Sequence, residues 1–208
     1  MVICKEPIPG RVKTRMCPPL SHIQAAELAR ASLADTFAAC AAAEPDRLVA
    51  VIEGTDPAWV PVGWEVFYQR TGGLDVRLAD AFDDVLADGG RGVLVAMDTP
   101  QATPVQIADA LQQLDFHDAV IGMTDDGGYW IIGLTRPVRE SFLGVPMSTD
   151  STGQAQLDRL QSLGYSVAVV DTVRDLDTIT DVGLVSDQFP HLAVSQWFAT
   201  LSLNGDLL

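Results

Sequence analysis

Short apolar runs alternate along this chain with stretches whose apolar positions recur every three or four residues, the mark of strands interleaved with amphipathic helices. The run Val2-Ile3-Cys4 is the first strand. A helix then opens at Ser21, which with Gln24 has the spacing of a capping box, and Ala26, Ala29, Leu33, Phe37 and Cys40 mark its buried face. Leu48–Ile52 and Glu65–Gln69 read as strands, and Asp75–Ala87 as a helix carrying Leu78, Phe82 and Val85 inward. Gly92–Met97 is the next strand, followed by a helix with Thr103 as cap, Pro104 in the first position and Gln106 completing the box. Ala119–Met123 and Trp130–Leu134 are strands joined by an Asp-Gly-Gly turn. A helix over Thr152–Leu163, a strand over Ser166–Val170 and C-terminal helices complete an α/β pattern.

Composition narrows the class. With 208 residues, 48% of them hydrophobic and 20% charged, the chain suits one compact domain spanning residues 1–208 and excludes a disordered one. Cys4, Cys17 and Cys40 lack C-x-x-C spacing and a histidine cluster, so they are expected to be idle thiols in a reducing cytoplasm. No secretory signal opens the sequence and no apolar run is long enough to cross a bilayer. The formal charge of -15 repels nucleic acid and anionic lipid, so neither is an expected partner; a homodimer is an admissible assembly. A free nucleotide is also an anion, and needs a local basic pocket or a divalent cation.

Both are available in principle. The loop after the first strand, from Lys5 through Pro9, Gly10 and Lys13 to Arg15, concentrates positive charge in an acidic chain, and its Pro-Gly step lets the backbone turn with amides exposed. It reads either as a phosphate-binding loop or as a solvated basic loop. Asp98 ends a strand so apolar that its carboxylate must find a cation, a helix N-terminus or a turn to cap. Asp125 and Asp126 precede Gly127 and Gly128, which suits a metal and a close-approaching ligand as well as it suits a hairpin turn. Asp175, Asp177 and Asp181 could add a ligand, although Thr178 and Asp181 have the spacing of a helix start. Asp175-Leu176-Asp177 has the look of a phosphatase nucleophile motif, but that motif belongs on a first strand. His22, His117 and His191 lie apart, and neither a serine nucleophile elbow nor a Walker phosphate loop occurs. Trp59, Trp64, Trp130 and Trp197 are expected in core or interface positions. In such sheets ligands sit beyond the carboxyl ends of the strands, where Lys5, Asp98 and Asp125 would converge.

Taken together, Lys5-x-Pro7-x-Pro9-Gly10-x-Val12-Lys13-Thr14-Arg15, Asp98-Thr99-Pro100 and Asp126-Gly127-Gly128-Tyr129-Trp130 resemble the bacterial DUF2064 family of glycosyltransferase-A-like proteins. Gly72-Gly73, Ser148-Thr149-Asp150 and Asp175-Leu176-Asp177-Thr178 extend the likeness along the chain. The resemblance implies a GT-A-like three-layer αβα sandwich with a mixed, mostly parallel sheet. It further implies a transferase dependent on Mg2+ (or Mn2+) that takes an NTP or a nucleotide-sugar and a small acceptor, by nucleotidyl or glycosyl transfer. Lys5, Pro9, Gly10, Lys13 and Arg15 would hold phosphates, with Thr99, Gly127 and Gly128 also at the ligand. Asp98 and Asp126 would bind the metal, and Lys13, Asp98 and Asp126 would carry catalysis. The chain departs from the family in Ala96-Met97, where Gly-Ser/Thr is usual, in Ala102, where Leu is common, and in its abbreviated first strand. Those departures motivate the alternative of a degenerate transferase that binds a nucleotide or a partner without turnover.

Overall fold

The computed structural model describes residues 1–136 and 138–203; Pro137 and residues 204–208, which the single-domain expectation includes, lie outside the described residues. Seven strands, β1 (Val2–Lys5), β2 (Val49–Glu53), β3 (Glu65–Tyr68), β4 (Gly92–Ala96), β5 (Ala119–Thr124), β6 (Tyr129–Leu134) and β7 (Val167–Val173), form one sheet in the order β3-β2-β1-β4-β6-β5-β7. Every pairing is parallel except those made by β6, which runs antiparallel to β4 and β5. The mixed, mostly parallel sheet is therefore as expected.

Alternation along the strands sends side chains to both faces. Val2 and Cys4 of β1, Ala50 and Ile52 of β2, and Val93 and Val95 of β4 join one core with helices α1 (His22–Ala42) and α3 (Pro104–Gln113). Ile3, Val49, Val51 and Leu94 turn to the other face, beneath α2 (Leu74–Val85) and α4 (Thr152–Ser162). Helices on both faces make the three layers. A third core lies behind α1, where Ala25 and Leu28 meet Val182 and Val185 of α5 (Ile179–Gln188) and Val194 and Leu201 of α6 (Ala193–Leu203). The residues expected on the buried face of α1 all lie in the first core, but the helix is apolar on its back as well because it is sandwiched.

Local chemistry starts the helices where the sequence signals it. Ser21 Oγ accepts from Gln24 N (3.2 Å) while Gln24 Oε1 accepts from Ser21 N (2.8 Å), and Thr103 and Gln106 repeat the exchange behind Pro104. Element ends shift slightly from the sequence reading. α2 begins at Leu74 and stops at Val85, and β4 ends at Ala96 rather than Met97. β7 runs on to Val173 because the bulge after Gly122 lets Thr124 pair with Val173. The abbreviated β1 is nonetheless central, hydrogen-bonded to β2 on one side and β4 on the other. No described helix is long and apolar enough to cross a membrane.

Candidate functional site

β1, β4 and β5 all run in the same direction, so their carboxyl ends deliver Lys5, the Met97-Asp98 step and the Asp125-Asp126 turn to one edge of the sheet. The segment after β7, carrying Asp175 and Asp177, joins them there. It is stitched in place: Leu176 N donates to Asp98 O (3.0 Å), Gln101 Nε2 to Arg174 O (2.5 Å), and Lys13 Nζ to Leu176 O.

Lys13 reaches this edge from the basic loop. Its backbone adopts φ 48°, in the left-handed region that a β-carbon disfavours, and opens a short 3-10 turn over Thr14–Met16. Its side chain is only 8% exposed and its ammonium lies 2.7 Å from Asp98 Oδ1. Arg15 is exposed and stands 3.8 Å from Asp177 Oδ2. Lys5 lies 3.3 Å from Glu53 Oε2, which Arg77 also contacts. Burial pushes the Glu53 carboxyl up, but the two cations outweigh it and hold the group below its usual range. Pro9 and Gly10 are exposed, Gly10 at φ +78°, and shape the loop without lining either cavity described below.

Asp126 is fixed from its own turn. Its Oδ1 accepts from Thr124 Oγ1 (2.5 Å) and from Gly128 N (3.0 Å). Gly127 sits at φ +88°, and a β-carbon there would come within 1.8 Å of the Asp150 carbonyl oxygen, so only glycine lets the turn dock against the start of α4. Gly127 O accepts from Gly153 N (2.8 Å) across that contact. Asp125 points elsewhere and pairs with Arg174 at 3.3 Å.

The carboxylates gather into a cluster. Oxygens of Asp126, Asp175 and Asp177 all lie within 4.8 Å of one another. Asp98 is outside that trio and is occupied by Lys13. Asp175 carries the strain of the arrangement: burial first, then the charges of Asp98, Asp177 and Asp126, push its carboxyl up to about 8 despite the opposing pull of Lys13. Three convergent hard oxygen donors with unbalanced negative charge are what a divalent cation of the Mg2+ or Mn2+ type requires, so the residues present fit such an ion. Of the sequence candidates, Asp126 is in the trio, and Asp175 and Asp177 are its other members. Asp181 instead caps α5, accepting from Thr178 N (2.9 Å) and Thr178 Oγ1 (2.7 Å).

Two cavities flank the cluster and share Ile3, Arg15, Leu74, Asp98 and Asp177 in their walls. The first, about 420 Å³, carries the cations Lys5, Arg11, Lys13, Arg15 and Arg77. Met97 lines it too, its sulfur accepting from Lys5 N at 3.4 Å, so this side chain packs against the end of β1 at the cavity wall. The second, about 380 Å³, holds Asp98, Asp126, Asp175 and Asp177 together with Thr99 and Gly128. The basic wall was legible as a loop in the sequence. Glu53, Gln69 and Arg77 were not, because nothing local distinguishes them; Gln69 is held by Nε2 bonds to Cys4 O (2.9 Å) and Val51 O (3.0 Å).

Comparison with known proteins agrees with this architecture. The sequence model of a family described as an uncharacterized protein conserved in bacteria (DUF2064) matches residues 24–149. No curated protein matches the sequence. Among solved structures, a protein of Desulfovibrio desulfuricans G20 provisionally named a nucleotide-diphospho-sugar transferase superposes with a TM-score of 0.89 at 23% identity, over 97% of this chain and 94% of that one. Rv0371C of Mycobacterium tuberculosis H37Rv, solved in complex with manganese, gives 0.54 at 18% identity, over 89% and 96%. The synthetase of CMP-2-keto-3-deoxy-manno-octonic acid complexed with CTP gives 0.58 at 11% identity, over 91% and 97%. At these identities the likeness carries the fold alone.

Proposed function

The chain belongs to the DUF2064 family of uncharacterized proteins conserved in bacteria, and we propose that it is a divalent-metal-dependent transferase acting on a nucleotide, by nucleotidyl transfer in preference to glycosyl transfer. The observation that carries this reading is the meeting of a cation-lined cavity and a carboxylate trio across a shared wall containing Asp98, Arg15 and Asp177. A polyphosphate fits the first and a dication the second, and the two ligands need each other in a chain of net charge -15.

In this reading Lys5, Lys13 and Arg15 hold the phosphates, and Pro9 and Gly10 give the loop its shape. Asp126, Asp175 and Asp177 hold the metal, and Asp98 completes the set once phosphate oxygens compete for Lys13. The bound ion supplies charge neutralisation on the phosphates and the leaving group. Gly127 and Gly128 keep Asp126 in place and let the ligand come close to the backbone, and Thr99 lines the same cavity. In nucleotidyl transfer an acceptor oxygen forms a bond to the α-phosphorus, the bond from that phosphorus to the bridging oxygen breaks, pyrophosphate leaves, and the acceptor proton passes to solvent. The chain contributes position and charge rather than covalent chemistry. Nucleotidyl transfer is favoured because the five cations around one cavity suit a triphosphate better than a diphosphate. Manganese and CTP in proteins of the same fold support the ligand classes.

The second reading, a binding protein without turnover, rests on Met97, whose buried side chain lines the cleft. Calorimetry with GTP, CTP, UTP and UDP- and GDP-sugars, with and without Mn2+ or Mg2+, followed by assay for released pyrophosphate or nucleoside diphosphate, separates the two. Metal-dependent binding with pyrophosphate release is expected of a nucleotidyltransferase, and binding without product of the degenerate form. Failure of every nucleotide to bind defeats the transferase and the nucleotide-binding form alike and leaves only the partner-binding one. Asp98→Ala should weaken metal-dependent binding, and unchanged affinity removes Asp98 from that role.

A further inference from the structure

The walls of the carboxylate cavity say what stands opposite the nucleotide. Part of the lining is apolar, from Ile3, Leu74, Leu78, Leu94, Ala96 and Met147. The charged lining is acidic, with Asp150 added to Asp98, Asp126, Asp175 and Asp177, and the only cation among the described lining residues is Arg15, which is 79% exposed and directed to Asp177. Thr99, 0% exposed, also lines this space, and its hydroxyl has no hydrogen-bond partner in the protein.

Resting on the reading of the site given above, we infer that the acceptor is an alcohol with an apolar body, uncharged or carrying a cationic group, and not a carboxylate or a phosphate. Charge decides the first half. Even with a dication on the trio and Lys13 on Asp98, the cavity keeps a negative balance, because Asp150 and the remaining carboxylate charge exceed what Arg15 supplies. An anionic acceptor would enter against that field, whereas the anionic nucleotide has its own cation-lined cavity next door. The aliphatic lining decides the second half, since it offers nothing to a fully hydroxylated body and gains roughly fourfold in affinity for each methylene buried.

The test uses a six-carbon series that differs only in its head group: n-hexanol, n-hexylamine and hexanesulfonate, whose anionic head is a poor metal ligand, with n-butanol to read chain length. Affinities are measured by ligand-observed NMR on the full chain, in Mn2+-free buffer and with Mg2+ added, after Mn2+ binding has been verified separately by titration. Hexylamine and hexanol are expected to bind at least tenfold more tightly than hexanesulfonate, and hexanol more tightly than butanol. Leu74→Asn, at a position 40% exposed and common to both cavities, should weaken hexanol and hexylamine alike. Asp150→Lys, at an exposed position, should raise the affinity for hexanesulfonate and lower that for hexylamine. Equal or tighter binding of the sulfonate, no binding of any member, or indifference to Leu74→Asn and Asp150→Lys overturns the inference. Loss of Mn2+ binding in the separate titration would instead count against the metal site itself.

Discussion

Asp175→Asn should make the metal-free protein more stable while removing its response to metal. Asp175 is pushed up to about 8 from an ordinary value of 3.8, mainly by burial and then by Asp98, Asp177 and Asp126. The folded chain therefore keeps a proton that the unfolded chain releases above about pH 4. Wild-type stability measured against the variant falls as pH rises from about 4 to about 8, with a slope of at most about 1.4 kcal/mol per pH unit, and is flat outside that window. The full width would be about 6 kcal/mol. Solvent screening at a cleft and sharing of the proton among the carboxylates reduce this to roughly 2–4 kcal/mol at pH 8.5. In a chain of this size that corresponds to a melting temperature roughly 4–16 °C higher for the variant. The assay is differential scanning calorimetry of both proteins from pH 5 to pH 9 in EDTA, repeated with Mn2+. At pH 5 the gap should be only about a third of its full size; at pH 8.5 the variant should melt clearly higher in EDTA, and Mn2+ should raise the wild type much more than the variant. A variant less stable than wild type at pH 8.5 in EDTA, or one that gains as much from Mn2+, refutes the reasoning.

Other substitutions probe separate links. Lys13→Ala removes a nearly buried ammonium from Asp98 and should cost about 10–150-fold in nucleotide affinity, read by calorimetry, as expected for loss of a charge-assisted hydrogen bond. Gly127→Ala places a β-carbon against the Asp150 carbonyl at a positive φ and should cost about 3 kcal/mol, read as a lower melting temperature, with Mn2+ affinity falling in step as Asp126 is displaced. Ser21→Ala removes the cap of α1, at a residue that lines neither cavity, and should cost about 1 kcal/mol of stability with no change in Mn2+ or nucleotide affinity.

Much of this fold could be read from the chain because its signals are local. The capping boxes at Ser21 and Thr103 and the two-residue alternation of Val2, Cys4, Val93 and Val95 are settled by neighbouring residues. β6 was visible as a strand, but its antiparallel insertion between β4 and β5 is a matter of sheet order, which sequence spacing does not encode. The site divides the same way. Asp98 and Asp126 stood out because each ends an apolar run, whereas Asp175 and Asp177 were ambiguous, since Thr178 and Asp181 beside them already explained an acidic cluster as a helix cap. The signal that separates them is spacing: Asp175 and Asp177 lie two apart in an extended segment and so share a side, which the Leu176–Asp98 backbone bond turns toward Asp126. The pairing of Lys13 with Asp98 joins residues far apart in sequence and emerges only when β1 and β4 pair.

The most direct test of the account is an electron paramagnetic resonance titration of Mn2+ into the purified chain at pH 8, following loss of the free-ion signal. The account predicts one tightly bound Mn2+ per chain, strengthened by a nucleoside triphosphate and abolished when Asp126 and Asp177 are both replaced by asparagine. Binding that survives the double replacement unchanged, or no binding with or without the triphosphate, would contradict it.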